Sequence, residues 1–305
     1  GVDGQFGLEK SYKDYIANTV KVFETFKPKL KDTATIWWNV GDIYQNKNLS
    51  MIPNRVAIAL QDADWYIRSE IIWHKPNPMP ESVRDRPTSC HEKIWLITKN
   101  KKYYYDAESI KEPLASSSIP RLQQDIKNQI GTTRAHGGKK INGNFKAVGN
   151  IEKGRNKRNV WTITTKPFKE AHFATFPPDL IEPCIKAGCP EQVCVKCGKP
   201  QVKEFYRDKS TLPVKRNKRD GDSDRAVGGV YQKWMEENPV QITIKPSCDC
   251  NKGFKPGVVL DPFAGAGTTG IVAAINNRNA VLIELNSEYI KLAEDRIEKE
   301  CGEQK

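Results

Sequence analysis

The sequence is most tightly constrained near its carboxyl end, by the run Val258-Val259-Leu260-Asp261-Pro262-Phe263-Ala264-Gly265-Ala266-Gly267-Thr268-Thr269-Gly270. A short apolar segment stops at an acid, a loop of small residues follows, and helical spacing sets in through Ile271, Ala274 and Ile275. A second apolar segment, residues 280–283, stops at Glu284, and Tyr289, Leu292, Ala293 and Ile297 then share one helical face. The pattern predicts a βαβα unit and places the whole chain in the α/β class.

The same residue types point to a nucleoside ligand. Glycines let a backbone approach a ligand closely because no Cβ intervenes. An acid at the end of the second strand suits the two ribose hydroxyls, and Glu284 lies 19 residues after Gly265, near the spacing of about 20 that such sites use. Gly265, Gly267 and Gly270 also match the dinucleotide fingerprint literally, which leaves a nicotinamide oxidoreductase and a ligand-free strand-to-helix turn as alternatives. Asp261 discriminates between them. A carboxylate beside the glycines repels a pyrophosphate and suits a ligand with a cationic amine, a description that S-adenosylmethionine meets.

Upstream, helix and strand signals alternate. Tyr12, Ile16, Val20 and Phe23 recur at helical spacing over 11–26 until Pro28. Residues 34–40 read as a buried strand, 54–64 as a helix and 66–74 as a second strand; 92–98 and 102–106 read as two extended segments beyond a loop containing Pro76, Pro78, Pro80 and Pro87. Residues 172–188 read as a loop entering a helix. From 107 to 158 apolar periodicity fades, and 11 lysines and arginines face 4 acidic residues. The whole chain carries a formal charge of +12, which favours a polyanionic partner, although a charge run is also what a solvated loop looks like. No apolar run reaches the roughly 18 residues of a membrane helix. The start, Gly1-Val2-Asp3-Gly4, shows no basic segment followed by an apolar one, so a cytoplasmic, nucleoid-associated protein without membrane partners is expected.

Two close cysteine pairs, Cys194-Val-Lys-Cys197 and Cys248-Asp-Cys250, stand 50 residues apart. In an intracellular chain such pairs suggest a structural zinc site, with free thiols or disulfides as the alternatives. The second pair has one intervening residue where two are usual. Cys90, Cys184, Cys189 and Cys301 read as ordinary packed or surface cysteines.

Asp261 through Thr269 resembles motif I of the DNA amino-methyltransferases, and Ile283-Glu284-Leu285-Asn286 resembles their motif II. His172-Phe173-Ala174-Thr175-Phe176-Pro177-Pro178-Asp179-Leu180 resembles motif X, and Thr35 through Asp42 resembles motif V. The segment from Ile71-Ile72-Trp73-His74-Lys75-Pro76 through Arg86-Pro87-Thr88 to Ile94-Trp95-Leu96 resembles the stretch that follows motif V. Motifs X and I come late in the chain, which is the order of the permuted β-type group, and a ribbon between them has counterparts in that group.

The resemblance implies a Rossmann-like methyltransferase sheet, mostly parallel with one antiparallel strand. It implies residues 1–106 as the catalytic half, 107–158 as an inserted target-recognition region and 159–190 as the motif X segment. Residues 191–256 would be a zinc-ribbon-like insertion and 257–305 the S-adenosylmethionine-binding half. The cofactor-binding residues it implies are Asp261, Pro262, Phe263, Gly265, Gly267, Thr268, Thr269, Glu284, Asn286, Phe173, Thr175 and Phe176. It implies direct methyl transfer to cytosine N4 or adenine N6 of a flipped base in double-stranded DNA, by a monomer or homodimer of a prokaryotic or phage-encoded system. Arg84 and Arg86 in the Pro-rich loop are expected to contact DNA phosphates, with salt bridges that hold the loop as the alternative, and Arg134, Lys139 and Lys140 in the basic insertion are the further expected DNA contacts.

The family's catalytic motif, Asp/Ser/Asn-Pro-Pro followed by an aromatic, occurs nowhere in the 305 residues. In relatives of this order it lies just before the segment resembling Gly4-Gln5-Phe6-Gly7-Leu8-Glu9, so its expected position is upstream of Gly1. Asn39 and Asp42, at the end of a strand, remain as catalytic candidates, with a structural turn as the alternative for Asn39. A relative that binds cofactor or DNA without turnover, and methylation of RNA or protein, are the competing expectations.

Overall fold

The computed structural model describes residues 4–114, 154–166, 176–206, 208, 210–211, 234, 237–239 and 241–302. They fall into two compact units, one of residues 1–190 and 258–305, the other of residues 191–257.

In the first unit, helix α1 (Tyr12–Phe26) begins where the Ser11 hydroxyl accepts the backbone N–H of Asp14, an N-cap that satisfies an otherwise orphaned donor. Pro28 turns its end into a short 3-10 turn. Strand β1 (Thr35–Val40) follows, then the small hairpin β2 (Tyr44–Gln45) and β3 (Asn48–Leu49), whose two turn residues Asn46 and Lys47 both have positive φ. Helix α2 (Ile52–Asp62), strand β4 (Tyr66–His74), strand β5 (His91–Thr98) and the short strand β6 (Val160–Thr162) complete the amino-terminal half. Residues 102–106 form no strand. Tyr104 and Asp106 donate instead to single carbonyls of Thr33 and Ala187, so this segment is anchored irregularly.

The main sheet has the order β1-β5-β4-β6. β5 runs against both neighbours while β6 lies parallel to β4. The expected mostly parallel sheet is therefore corrected. One reversed strand placed between two others makes most pairings here antiparallel, although β1, β4 and β6 point the same way. The carboxyl-terminal strands β11 (Val258–Asp261) and β12 (Asn279–Leu282) form a separate parallel pair.

Strand alternation divides the apolar side chains between two faces. Val40, Trp95 and Ile97 pack with Phe23 of α1 and Val56 and Leu60 of α2. Ile71, Trp73, Ile94, Leu96 and Trp161 pack on the other side under Leu180 and Cys184 of helix α3 (Pro178–Gly188). Burying each such large side chain contributes about 1.5–3 kcal/mol. α3 also turns Ile181 and Ile185 toward Val259 of β11 and Val272 and Ala273 of helix α4 (Thr268–Ile275), so one helix joins the main sheet to the glycine-rich unit. Its last residue, Gly188, meets β1 closely, and a Cβ there would lie 2.3 Å from Thr35 Oγ1. α4 is buried from Thr268 through Ala273, as a sequence of small and apolar residues without a charge allows, and helix α5 (Ser287–Cys301) packs against it. No helix among the described residues is long and apolar enough to cross a membrane.

The second unit holds a short antiparallel pair, β7 (Gln192–Cys194) with β10 (Phe254–Pro256), and a two-stranded ribbon, β8 (Gln201–Tyr206) with β9 (Gln241–Pro246).

Candidate functional site

The glycine-rich loop is built from hydrogen bonds to two carboxylates. At the end of β11, Asp261 Oδ1 accepts the backbone N–H of Phe263 at 3.0 Å, and Oδ2 accepts the Thr269 hydroxyl. Glu284, just beyond β12, closes the loop from the other side. Its Oε2 accepts the Gly265 N–H at 2.8 Å, and its Oε1 accepts the N–H groups of Leu285 and Asn286, each at 2.9 Å. An ionised carboxylate has about four acceptor sites, so Oε2 keeps capacity for a further donor. Asn286 caps α5 by accepting the Glu288 N–H. Thr268 is buried, with its hydroxyl near Arg296.

Gly267 begins α4 at φ +75, and a Cβ on it would come within 2.9 Å of the Ala293 Cβ. Both the left-handed backbone and the close approach of α5 therefore require glycine here. Pro262 is half-buried. Phe263 is 41% exposed; it stacks on Phe6 with ring centroids 5.1 Å apart and presents an edge to Trp38 at 5.8 Å. The loop after β11 thus lies directly against β1.

The carboxyl ends of β1 and β4 carry a polar network of which the sequence singled out only Asn39. Asn39 Nδ2 donates to Glu92 Oε2 at 2.7 Å, and the Lys75 ammonium pairs with the other oxygen of Glu92. Glu92 sits at the start of β5 beside Gly41, and Lys75 directly follows β4. The one sequence signal was alternation: Asn39 and Gly41 share a face with Trp37, across from Glu92, Ile94 and Leu96. Asp42 has a separate task. Its Oδ1 accepts the N–H groups of Ile43 and Ile52, clasping the hairpin loop to α2.

In the Pro-rich loop, Arg86 lies 3.9 Å from the Tyr44 ring centroid and pairs with Glu81 at 2.7 Å. Glu81 also accepts the Ser89 N–H, and the Arg86 guanidinium holds its carboxyl below the usual range. Arg86 thus ties the loop to the β2–β3 hairpin, whereas Arg84 is exposed. Phe176 packs against the α3 face of the sheet. Phe173, Thr175, Arg134, Lys139 and Lys140 lie outside the described residues.

In the second unit, the sulfurs of Cys194, Cys197, Cys248 and Cys250 lie within 4.8 Å of one another. Zinc–thiolate bonds of about 2.3 Å in a tetrahedron place sulfurs about 3.8 Å apart, so the four donors fit a structural zinc. The backbone N–H groups of Cys197 and then Lys196 point at the Cys194 sulfur and hold its thiol well below the usual range. Gly198 closes this knuckle at φ +70. Cys184 and Cys189 are packed thiols instead, pushed up by burial, Cys189 to about 11.

Comparison with known proteins agrees with this geometry. The profile of the DNA methylase family matches residues 2–196 and 200–295. The type II methyltransferase M.Cfr9I of Citrobacter freundii is 32% identical over 98% of this chain and 77% of its own length. M.SmaI of Serratia marcescens is 32% identical over 97% of this chain and 78% of its own. The structure of PvuII DNA methyltransferase (cytosine-N4-specific) superposes over 99% of this chain and 80% of its own, with a TM-score of 0.54 at 14% identity, a likeness of fold. With a family profile matching residues 2–196 and 200–295 and a relative 32% identical over 98% of it, the chain belongs to the DNA methylase family.

Proposed function

We propose that this protein is a site-specific DNA methyltransferase that moves the methyl group of S-adenosylmethionine to the exocyclic amine of cytosine N4 or adenine N6. The arrangement that carries this reading is the loop held between Asp261 and Glu284. Glu284 Oε2 is the acceptor for a ribose hydroxyl, Asp261 attracts the cationic amine of the methionine part, and Phe263 offers an exposed ring to the adenine or the methionine chain. Bound there, the donor supplies an electrophilic sulfonium methyl. The amine nitrogen forms the new N–C bond with its lone pair, the C–S pair returns to sulfur, and the amine proton passes to water. The protein's own contribution is alignment, with the base drawn out of the duplex.

DNA contact is assigned to exposed Arg84 and to the basic insertion with Arg134, Lys139 and Lys140, and the Arg86-clamped loop shapes the approach. The four cysteines are assigned to a structural zinc. The relatives M.Cfr9I and M.SmaI, both type II methyltransferases, support a target of defined sequence.

Calorimetric titration with S-adenosylmethionine, with NAD as control, tests the cofactor site. Micromolar binding, weakened at least tenfold in Glu284→Ala and Asp261→Ala, is expected, since a charge-assisted hydrogen bond is worth about 1.5–3 kcal/mol. Preference for NAD, or indifference to both substitutions, would overturn the assignment. The family's Pro-Pro acceptor motif is not within these 305 residues. Transfer of tritiated methyl to unmethylated bacterial DNA is therefore assayed on the full-length polypeptide, including any residues upstream of Gly1.

A further inference from the structure

We infer that Met79 slides into the DNA base stack at the place the target base vacates, and that the proline-rich strut carrying it holds it ready for that entry. This inference rests on the methyl-transfer reading above and names a contact between that site and its DNA.

The strut is stiff by composition. Every residue from Lys75 to Pro80 is a proline or stands before one, so each has a fixed φ or is confined to extended backbone. It is also pinned along its length. The Lys75 N–H donates to the Cys90 carbonyl at 2.8 Å, and the Lys75 ammonium pairs with Glu92. Asn77 exchanges hydrogen bonds with Thr165, beyond β6: its Nδ2 donates to the Thr165 carbonyl at 3.2 Å, and its Oδ1 accepts the Thr165 N–H at 3.0 Å. Glu81, directly after the strut, accepts from Arg86 and from the Ser89 N–H. Between these last two anchors Met79 is 85% exposed, more than any other large hydrophobic side chain among the described residues. A slack loop can fold such a side chain away from water. This strut keeps it out, at a hydrophobic cost that a partner would recover.

Location and size narrow the partner. The strut leaves the carboxyl end of β4, where open α/β sheets hold ligands, and the Asn39–Glu92–Lys75 network joins its first residue to the end of β1. Through Trp38, β1 in turn touches Phe263 of the loop assigned to the methyl donor. Beyond Pro80 the next exposed side chains, Ser82, Arg84 and Asp85, are polar. Met79 is therefore a single apolar point, far short of the roughly 800 Å² that a protein partner would cover. A duplex that has lost one base from its stack offers a narrow apolar slot instead. Flipping forfeits the stacking of the target base, and apolar side chains that enter between base steps offset such losses. An unbranched side chain with a polarisable sulfur suits a slot between aromatic faces. Exposed Arg84 supplies a cation for the flanking phosphates.

The test is single-turnover methylation by the full-length protein, at saturating donor and DNA. The substrate is a short duplex containing the site that sequencing locates in bacterial DNA the protein has methylated. A second duplex carries a mismatch opposite the target base, which lowers the cost of flipping. Met79→Ala is expected to lower the rate roughly tenfold or more on the paired duplex and to stay within about threefold of wild type on the mismatched one. Met79→Leu is expected to keep the rate on both, and neither substitution moves the dissociation constant of the donor by more than about twofold. A loss shared equally by the two duplexes, or a Met79→Ala rate within about threefold of wild type on the paired one, would overturn the inference. So would a change in oligomeric state with the paired rate unchanged, which makes Met79 a contact between copies of this chain. Wild-type protein that binds the donor but methylates no DNA would instead remove the methyl-transfer reading, and this inference with it.

Discussion

At the scale of single residues, the glycine-rich loop is where sequence and structure meet most closely. Gly267 carries two independent demands, a left-handed backbone and an approach of 2.9 Å between its added Cβ and that of Ala293. Gly267→Ala is expected to cost about 1–3 kcal/mol, read as a lowered midpoint in chemical denaturation. Arg86 and Glu81 give a pH signature. Arg86 holds the Glu81 carboxyl below its ordinary value of 4.5, so the clasp is complete above that value and lost as pH falls through the lowered one. Limited proteolysis across residues 80–90 is expected to accelerate on acidification through that range in the wild type and to be fast at every pH in Arg86→Ala. An unchanged cleavage rate in both would show that the clasp does not order the loop. Asp261 and Glu284 were legible in the sequence because a strand-ending acid beside glycines has few other uses. Glu92 and Lys75 were not, because their partnership with Asn39 exists only across β5, and each alone looks like an ordinary surface charge.

Among elements, strands and helices with clean periodicity were readable almost to the residue, as β4 shows at Tyr66–His74. The segment 102–106 was not. Its aromatic run imitates a strand, but its backbone donors are taken singly by Thr33 and Ala187 rather than by a neighbouring ladder. The cysteine knuckle offers an element-scale test. Metal analysis of protein purified without chelator is expected to find about one zinc per chain, and stripping it is expected to make residues 191–257 protease-sensitive. S-Adenosylmethionine binding by the Asp261–Glu284 loop should survive the stripping, because both carboxylates and the Phe263 and Gly265 N–H groups they accept belong to the first unit. Protein free of metal and equally resistant to protease would remove zinc from the account.

For the whole molecule, the formal charge of +12 is itself a prediction about partners. Affinity for double-stranded DNA is expected to fall steeply with salt, with a log–log slope steeper than about −4 if roughly five phosphates are neutralised. A flat dependence in a filter-binding or anisotropy titration would remove the basic insertion from the interface. The amino-acid sequence by itself determined the α/β class, the βαβα unit with its two strand-end acids and the cysteine spacing. Each of these is a local pattern, fixed by residues a few positions apart or by a motif whose chemistry leaves few choices. Tertiary structure alone decided the strand order and pairing direction of the main sheet, since placing one reversed strand between β1 and β4 depends on how α1, α2 and α3 share the two apolar faces. It also decided the contact of Phe263 with β1 and the turning of Asn39 by Glu92. Both join residues more than fifty positions apart, and local periodicity carries no information about such a pairing.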